Sequence, residues 1–154
     1  PDGFTATLKL PPPPYAREGG QVVASQLRQV GIKLEIVPVE WADWLSTVFK
    51  EKDYDLTIIS HTEPNDIDIY SRPDYYIGYQ NPDFNRVIEE LGLTADEAKR
   101  NELYAKAQEI LARDAPVGFL FELPKIGVWD ANLEGMWHNM PVQANDLTKV
   151  KWKQ

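Results

Sequence analysis

The feature that most constrains this chain is a change of hydrophobic period, repeated within its first sixty residues. Phe4, Ala6, Leu8 and Leu10 alternate with Thr5, Thr7 and Lys9, a period of two that predicts a strand. Over 16–30 the pattern turns helical, with Val23, Leu27 and Val30 on one stripe and Gly31 placed to close the helix in the left-handed conformation. Residues 33–39 alternate again through Leu34 and Ile36, and Pro38, which lacks a ladder donor, predicts that this strand lies at a sheet edge or bends there. Trp41, Trp44, Leu45, Val48 and Phe49 then fall on the apolar stripe of an amphipathic helix. Residues 54–60 (YDLTIIS) read as a buried, β-branched strand. Strand, helix, strand, helix, strand with short links requires right-handed crossovers and a parallel sheet, so the fold class is α/β with a βαβαβ start.

The second half is written differently. Asn81-Pro82 pairs a capping residue with proline at the first helical position, and Phe84, Val87, Ile88 and Leu91 supply the buried face of the helix it opens. Thr94 and Glu97 have the spacing of a capping box ahead of a longer helix, with Leu103, Ala107, Ile110 and Leu111 inward and Pro116 past its end. Residues 117–123 (VGFLFEL) and 126–129 are predicted to be short strands, and the pattern fades after Glu134. Pro11 to Pro14 form a stiff connector between the first strand and helix, although such a run also suits docking to aromatic-lined domains.

Composition narrows the function classes. The 154 residues carry 43% hydrophobic and 26% charged side chains, which fits a packed domain rather than a disordered one. A net charge of −8 disfavours nucleic acid and anionic membranes as partners. With no cysteine, disulfides, thiol catalysis and cysteine-based metal sites are excluded. His61 and His138 are far apart with no second histidine nearby, so no zinc site is implied, and no cofactor. The chain opens on Pro1, which favours an excised piece of a longer polypeptide.

Ligands of open parallel sheets bind beyond the carboxyl ends of the strands. Those ends are residues 10–15, 39–41 and 60–64, and they make Trp41 and His61 candidate ligand contacts. The third end runs into a polar stretch, 61–80, with Glu63, Asp66, Asp68 and Asp74 against the single Arg72, and with Tyr70, Tyr75, Tyr76 and Tyr79. Carboxylates and phenol rings together suit a ligand that carries an amine, which adds Glu63, Asp66 and Tyr75 to the candidates. The plainer reading is a solvated loop whose tyrosines cap the core edge. Paired acids on a glycosidase would have to face each other across a cleft, and four acids in one loop do not establish that. No catalytic residue is assigned, and the chain is read as a non-enzyme.

The succession of motifs resembles the second, carboxyl-side lobe of the periplasmic dipeptide- and oligopeptide-binding proteins that serve ABC importers (extracellular solute-binding family 5). The resemblance rests on the Pro1-Asp2-Gly3-Phe4 opening, Ala24-Ser25-Gln26-Leu27 leading to Val30-Gly31-Ile32-Lys33-Leu34, the Trp41 helix, and Lys52-Asp53-Tyr54-Asp55-Leu56. It continues through Asn81-Pro82-Asp83-Phe84 and the helix from Tyr104 to Ala115-Pro116. It implies a periplasmic-binding-protein-like lobe over 1–139 and a tail, 140–154, that returns to a missing amino-side lobe. It also implies export to the periplasm, delivery of a peptide-like solute to a membrane permease, and an anchoring acid for the peptide's amino terminus. His61 stands where such proteins carry a tryptophan, and either Glu63 serves as the acid or the anchor is absent. A non-peptide solute (opine, sugar, metal chelate or haem) and a free-standing interaction domain are the alternatives.

Overall fold

The computed structural model describes residues 3–62, 66–124, 126–138 and 146–153. They divide into two compact units, the first formed by Pro1–His61 with Ile69–Asn85 and the second by Thr62–Asp68 with Arg86–Gln154.

In the first unit, β1 (Phe4–Leu10) pairs in parallel with β2 (Ile32–Pro38), from Phe4 opposite Ile32 to Leu10 opposite Pro38. Its other edge pairs in parallel with β3 (Leu56–Thr57), Leu8 opposite Leu56 and Lys9 opposite Thr57, so the strand order is β2-β1-β3. Pro38 sits on an edge strand, where its missing N–H breaks no ladder. The third strand is far shorter than the 54–60 expected, because only two of its residues find partners on β1.

Right-handed crossovers step from β1 to one neighbour and back across it to the other, which places the two connecting helices on opposite faces of the sheet. Side-chain alternation records this. Helix α1 (Pro14–Gln29) packs through Ala16 on Leu8, Leu10 and Ile58, joined by Tyr15, Val23, Leu34 and Ile36. The opposite parity, Thr57 and Ile59, faces Trp44 and Val48 of the next helix. Gly20 is what lets α1 lie close to the sheet, since a Cβ there would stand 2.4 Å from a methyl of the fully buried Leu10. The prolines act as the connector: Pro11 is buried, and Pro14 takes the first turn of α1, where no N–H is needed. Gly31 closes the helix at φ +89°, as expected, whereas Val30 lies beyond the last turn and is exposed rather than on the buried stripe.

The Trp41 helix opens as one α-turn, α2 (Trp41–Asp43), and continues as a π-helix over Trp44–Lys50. The widened turn is seen in the Glu51 N–H donating to the Ser46 carbonyl at 3.0 Å. Of the predicted apolar stripe only Trp44 and Val48 are buried, while Trp41, Leu45 and Phe49 remain exposed. The stripe is wider than the sheet it covers.

Helix α3 (Pro82–Leu93) starts in the first unit and ends in the second. Asn81 caps it, its Oδ1 accepting from the N–H groups of Asp83 at 2.8 Å and Phe84 at 3.1 Å. In the second unit Val87 and Leu91 are buried, as are Leu103, Ala107, Ile110 and Leu111 on α4 (Glu97–Asp114), the face read from the sequence. The α4 cap is Asp96, whose side chain accepts from Lys99 N–H at 2.8 Å. The expected Thr94–Glu97 box does not form, because Thr94 Oγ1 donates instead to the Glu90 carbonyl at the end of α3. Ala115 ends α4 in the left-handed conformation ahead of Pro116.

The strands expected over 117–123 and 126–129 are absent among the described residues, and Phe119, Leu120, Phe121, Leu123, Ile126 and Val128 are exposed. A strand is held by its neighbours, and among the described residues no strand pairs with these segments. The short carboxyl-side strands are instead β4 (Leu133–Glu134) and β5 (Lys151–Trp152), antiparallel, with Lys151 Nζ 3.1 Å from Glu134.

Candidate functional site

The carboxyl ends of the three parallel strands are tied to one another by side chains. Tyr15, just past β1, accepts on its hydroxyl from the Ser60 N–H at 3.1 Å. Arg17, one turn into α1, donates to Glu40 Oε1 at 3.0 Å and reaches the Val39 carbonyl at 3.4 Å, fastening the loop after β2. These contacts make a ledge of the strand tips.

An aromatic cluster supports it. Tyr76 is its hub: buried, edge-on to Trp44 at 5.6 Å, tilted against Phe49 at 5.4 Å, and next to Tyr75 at 5.0 Å. Trp44 Nε1 donates to Thr57 Oγ1 at 3.0 Å, and Thr57 in turn donates to the Lys9 carbonyl at 2.7 Å, so helix, β3 and β1 share one hydrogen-bonded chain. On the other side of the hub, Tyr54 donates to the Tyr76 carbonyl at 2.7 Å. Burial raises the Tyr54 phenol pKa, which keeps it a neutral donor. Asp55, next in sequence, accepts from the backbone N–H and the hydroxyl of Thr7 at 2.7 and 2.8 Å. Those two bonds, the backbone one first, hold its carboxyl below the ordinary range.

The candidates read from sequence fall as follows. His61 lies at the tip of the third strand, half-buried, with its ring stacked on Tyr76 and Nε2 2.8 Å from the Tyr76 hydroxyl. Tyr75 stands beside it, ring centroids 6.4 Å apart, edge-on to Phe49 and under the Arg72 guanidinium. Trp41 follows β2, 43% exposed, edge-on to Trp44 at 5.9 Å. His61, Tyr75 and Trp41 therefore belong to one aromatic assembly, linked through Tyr76 and Trp44. Asp66 opens a 3-10 helix, Asp66–Ser71, and belongs to the second unit, partly buried. Glu63 lies outside the described residues.

Sequence reasoning missed the hub. Tyr76 is one of four tyrosines in the 61–80 stretch, and nothing in its spacing sets it apart. It also missed the Arg17–Glu40 tie, whose signal was available: both residues sit within a turn of a predicted strand end. Chemically, the ledge offers flat aromatic faces, one imidazole and a few hydroxyls. Among the described residues no cluster of histidine, aspartate or glutamate could hold a metal ion. No helix of the described residues is long and apolar enough to cross a membrane.

No protein-family model matches the chain. It is 25% identical over 134 residues to the peptide transport periplasmic protein SapA of Salmonella typhimurium, an alignment covering 80% of this chain and 24% of that protein. It is 24% identical over 125 residues to the di/tripeptide-binding protein 1 of Pseudomonas aeruginosa, covering 71% of this chain and 22% of that one. The chain thus spans about a quarter of the length of the curated relatives it matches. Among solved structures, the oligopeptide-binding protein AppA of Bacillus subtilis in complex with a nonapeptide superposes with a TM-score of 0.76 at 22% identity, over 98% of this chain and 32% of that one. In sequence this chain is similar to a periplasmic peptide transport protein and a di/tripeptide-binding protein, and its α/β fold matches about a third of an oligopeptide-binding protein.

Proposed function

We propose that this chain is the carboxyl-side lobe of a two-lobed solute-binding protein of an ABC importer, and that its strand-tip ledge forms one wall of a cleft for a peptide-like solute. The observation that carries the reading is the ledge itself. His61, Tyr75 and Trp41 are gathered by one aromatic cluster at the carboxyl edge of a parallel sheet, the place where open α/β sheets take ligands. The fold is shared with proteins named for peptide binding.

Each residue has a role in this reading. The exposed indole of Trp41 and the ring of Tyr75 cover the apolar parts of the solute, and the imidazole of His61, held by Tyr76, supplies a directed polar contact. On the sequence alone, Glu63 is the acid proposed for the solute's amine and Asp66 a further acid. The lobe carries out no catalysis, works in the periplasm, and hands its solute to a membrane permease. The proposed return of 140–154 toward the amino-side lobe falls in part, at 140–145 and 154, outside the described residues. A solute other than a peptide is favoured only by His61 standing in the position of the tryptophan that the resemblance implies.

The test is to purify the longer polypeptide that carries this lobe, identify the co-purifying solute by native mass spectrometry, and titrate it with short peptides by calorimetry. Released peptides and saturable binding are expected, with the isolated 154-residue chain binding far more weakly because it offers a single wall. A preparation that carries no solute and gives no heat with any peptide would defeat the proposal.

A further inference from the structure

Of the acids read from the sequence as ligand contacts, Glu63 lies outside the described residues and Asp66 belongs to the second unit. An acid that sequence reasoning passed over stands on the ledge itself. Glu40 follows β2 and precedes Trp41, at the strand tip where open sheets take ligands. Nη2 of Arg17 donates to its Oε1 at 3.0 Å, and Arg17 is its one side-chain partner among the described residues. The glutamate side chain is nonetheless 75% exposed. Arg17 Nε is buried without a partner, so the pair is not the two-bond fork that would occupy both carboxylate oxygens. The contact fixes where the carboxylate sits and leaves it open to solvent. Beside it in sequence, the exposed indole of Trp41 is braced edge-on at 5.9 Å by the buried Trp44, itself pinned through Thr57. A surface ion pair alone is ordinary. This one is set apart by its place at a strand tip next to an aromatic ring held ready for contact.

We infer that Glu40 and Trp41 form a subsite for a basic side chain of the solute, lysine or arginine. The aliphatic stem of such a side chain lies along the indole, and its cation meets the carboxylate and the ring together. The inference rests on the reading of the ledge as one wall of a solute cleft and adds a specificity to it: the preferred peptide is one that carries a cationic side chain. The net charge of −8 acts in the same direction, since it draws cationic solutes toward the surface. Arg17 is a positioning residue here. Its own charge offsets part of the attraction, so the subsite supplies a preference among peptides and not the whole of their binding.

Calorimetry on the longer polypeptide that carries this lobe tests the subsite. The probes are alanine tripeptides with lysine placed in turn at each position, each matched by a peptide with norleucine, the uncharged side chain of similar length, at the same position. At one position the lysine peptide should bind about tenfold more tightly than its norleucine partner. Glu40→Gln keeps an oxygen for Arg17 and removes the charge. It should bring the affinity of that lysine peptide down to that of its norleucine partner and leave the norleucine peptide unchanged. Equal affinities within all three pairs in the wild type would overturn the inference. So would a Glu40→Gln that weakens lysine and norleucine peptides alike, because the glutamate would then serve the terminal amine or the fold. In both cases peptides still bind, and the functional reading stands. Absence of heat with every peptide defeats the functional reading itself, and the inference falls with it.

Discussion

Thr57 is the smallest change that tests how the ledge is held. Its hydroxyl accepts from Trp44 Nε1 at 3.0 Å and donates to the Lys9 carbonyl at 2.7 Å. Thr57→Val keeps the volume and the β-branched shape that suits a strand, so packing and propensity change little. What changes is polar satisfaction. Trp44 is buried, and its indole N–H loses its acceptor, which costs about 1–3 kcal/mol for a buried donor left unpaired. The Lys9 carbonyl also loses a donor, a smaller effect of roughly 0.5–1.5 kcal/mol. The variant should therefore be less stable by about 2–3 kcal/mol. Trp44→Phe removes the donor itself. In the Thr57→Val background it should cost about 1 kcal/mol less than in the wild type, because there is no bond left to break. Urea unfolding followed by far-ultraviolet circular dichroism gives all four corners of this cycle. A neutral Thr57→Val, or strictly additive effects, would refute the view that this hydrogen-bonded chain fastens the helix to the sheet.

Asp55 gives a prediction in pH. Its folded pKa is lowered by the bonds from Thr7, so the folded state binds fewer protons than the unfolded one. The stability difference between wild type and Asp55→Asn should be complete above the ordinary aspartate value near 3.9 and should vanish as pH falls through the lowered folded value, measured by urea midpoints across that range. Gly20→Ala should destabilise by about 1–2 kcal/mol although alanine favours helices, because the new Cβ would press into Leu10, and a rise in melting temperature would contradict this. Asp96→Ala should cost about 1 kcal/mol through loss of the α4 cap, whereas Thr94→Ala should leave the α4 amino terminus unfrayed in amide exchange.

Much of this was legible in the sequence because local signals and tertiary partners agreed. The period-two run of β1 meets two strands of the same chain, and the face of α4 read as inward is buried, so both were read correctly. Reading failed where the decisive term was not local. The Thr94–Glu97 spacing is a valid cap, but Asp96 two residues later starts the helix instead, accepting from the Lys99 N–H, and Thr94 finishes the previous helix. Residues 117–123 and 126–129 read as strands, yet no periodicity says whether a partner strand lies in the chain at hand. For the candidate site, His61 followed from its place at a strand tip. Tyr76 did not, since a hub is defined by what surrounds it in space. The π-turns of Trp44–Lys50 left no sequence signature, and they accompany the exposure of Trp41 and Phe49 that the simple helical stripe would have buried.

The most direct measurement is a crystal structure of the longer polypeptide with its solute bound. Solute atoms within about 4 Å of His61 and Trp41, beyond the carboxyl tips of β1, β2 and β3, are the predicted result. A solute seated elsewhere, with those two rings facing only solvent, would contradict the assignment of this edge as a binding wall.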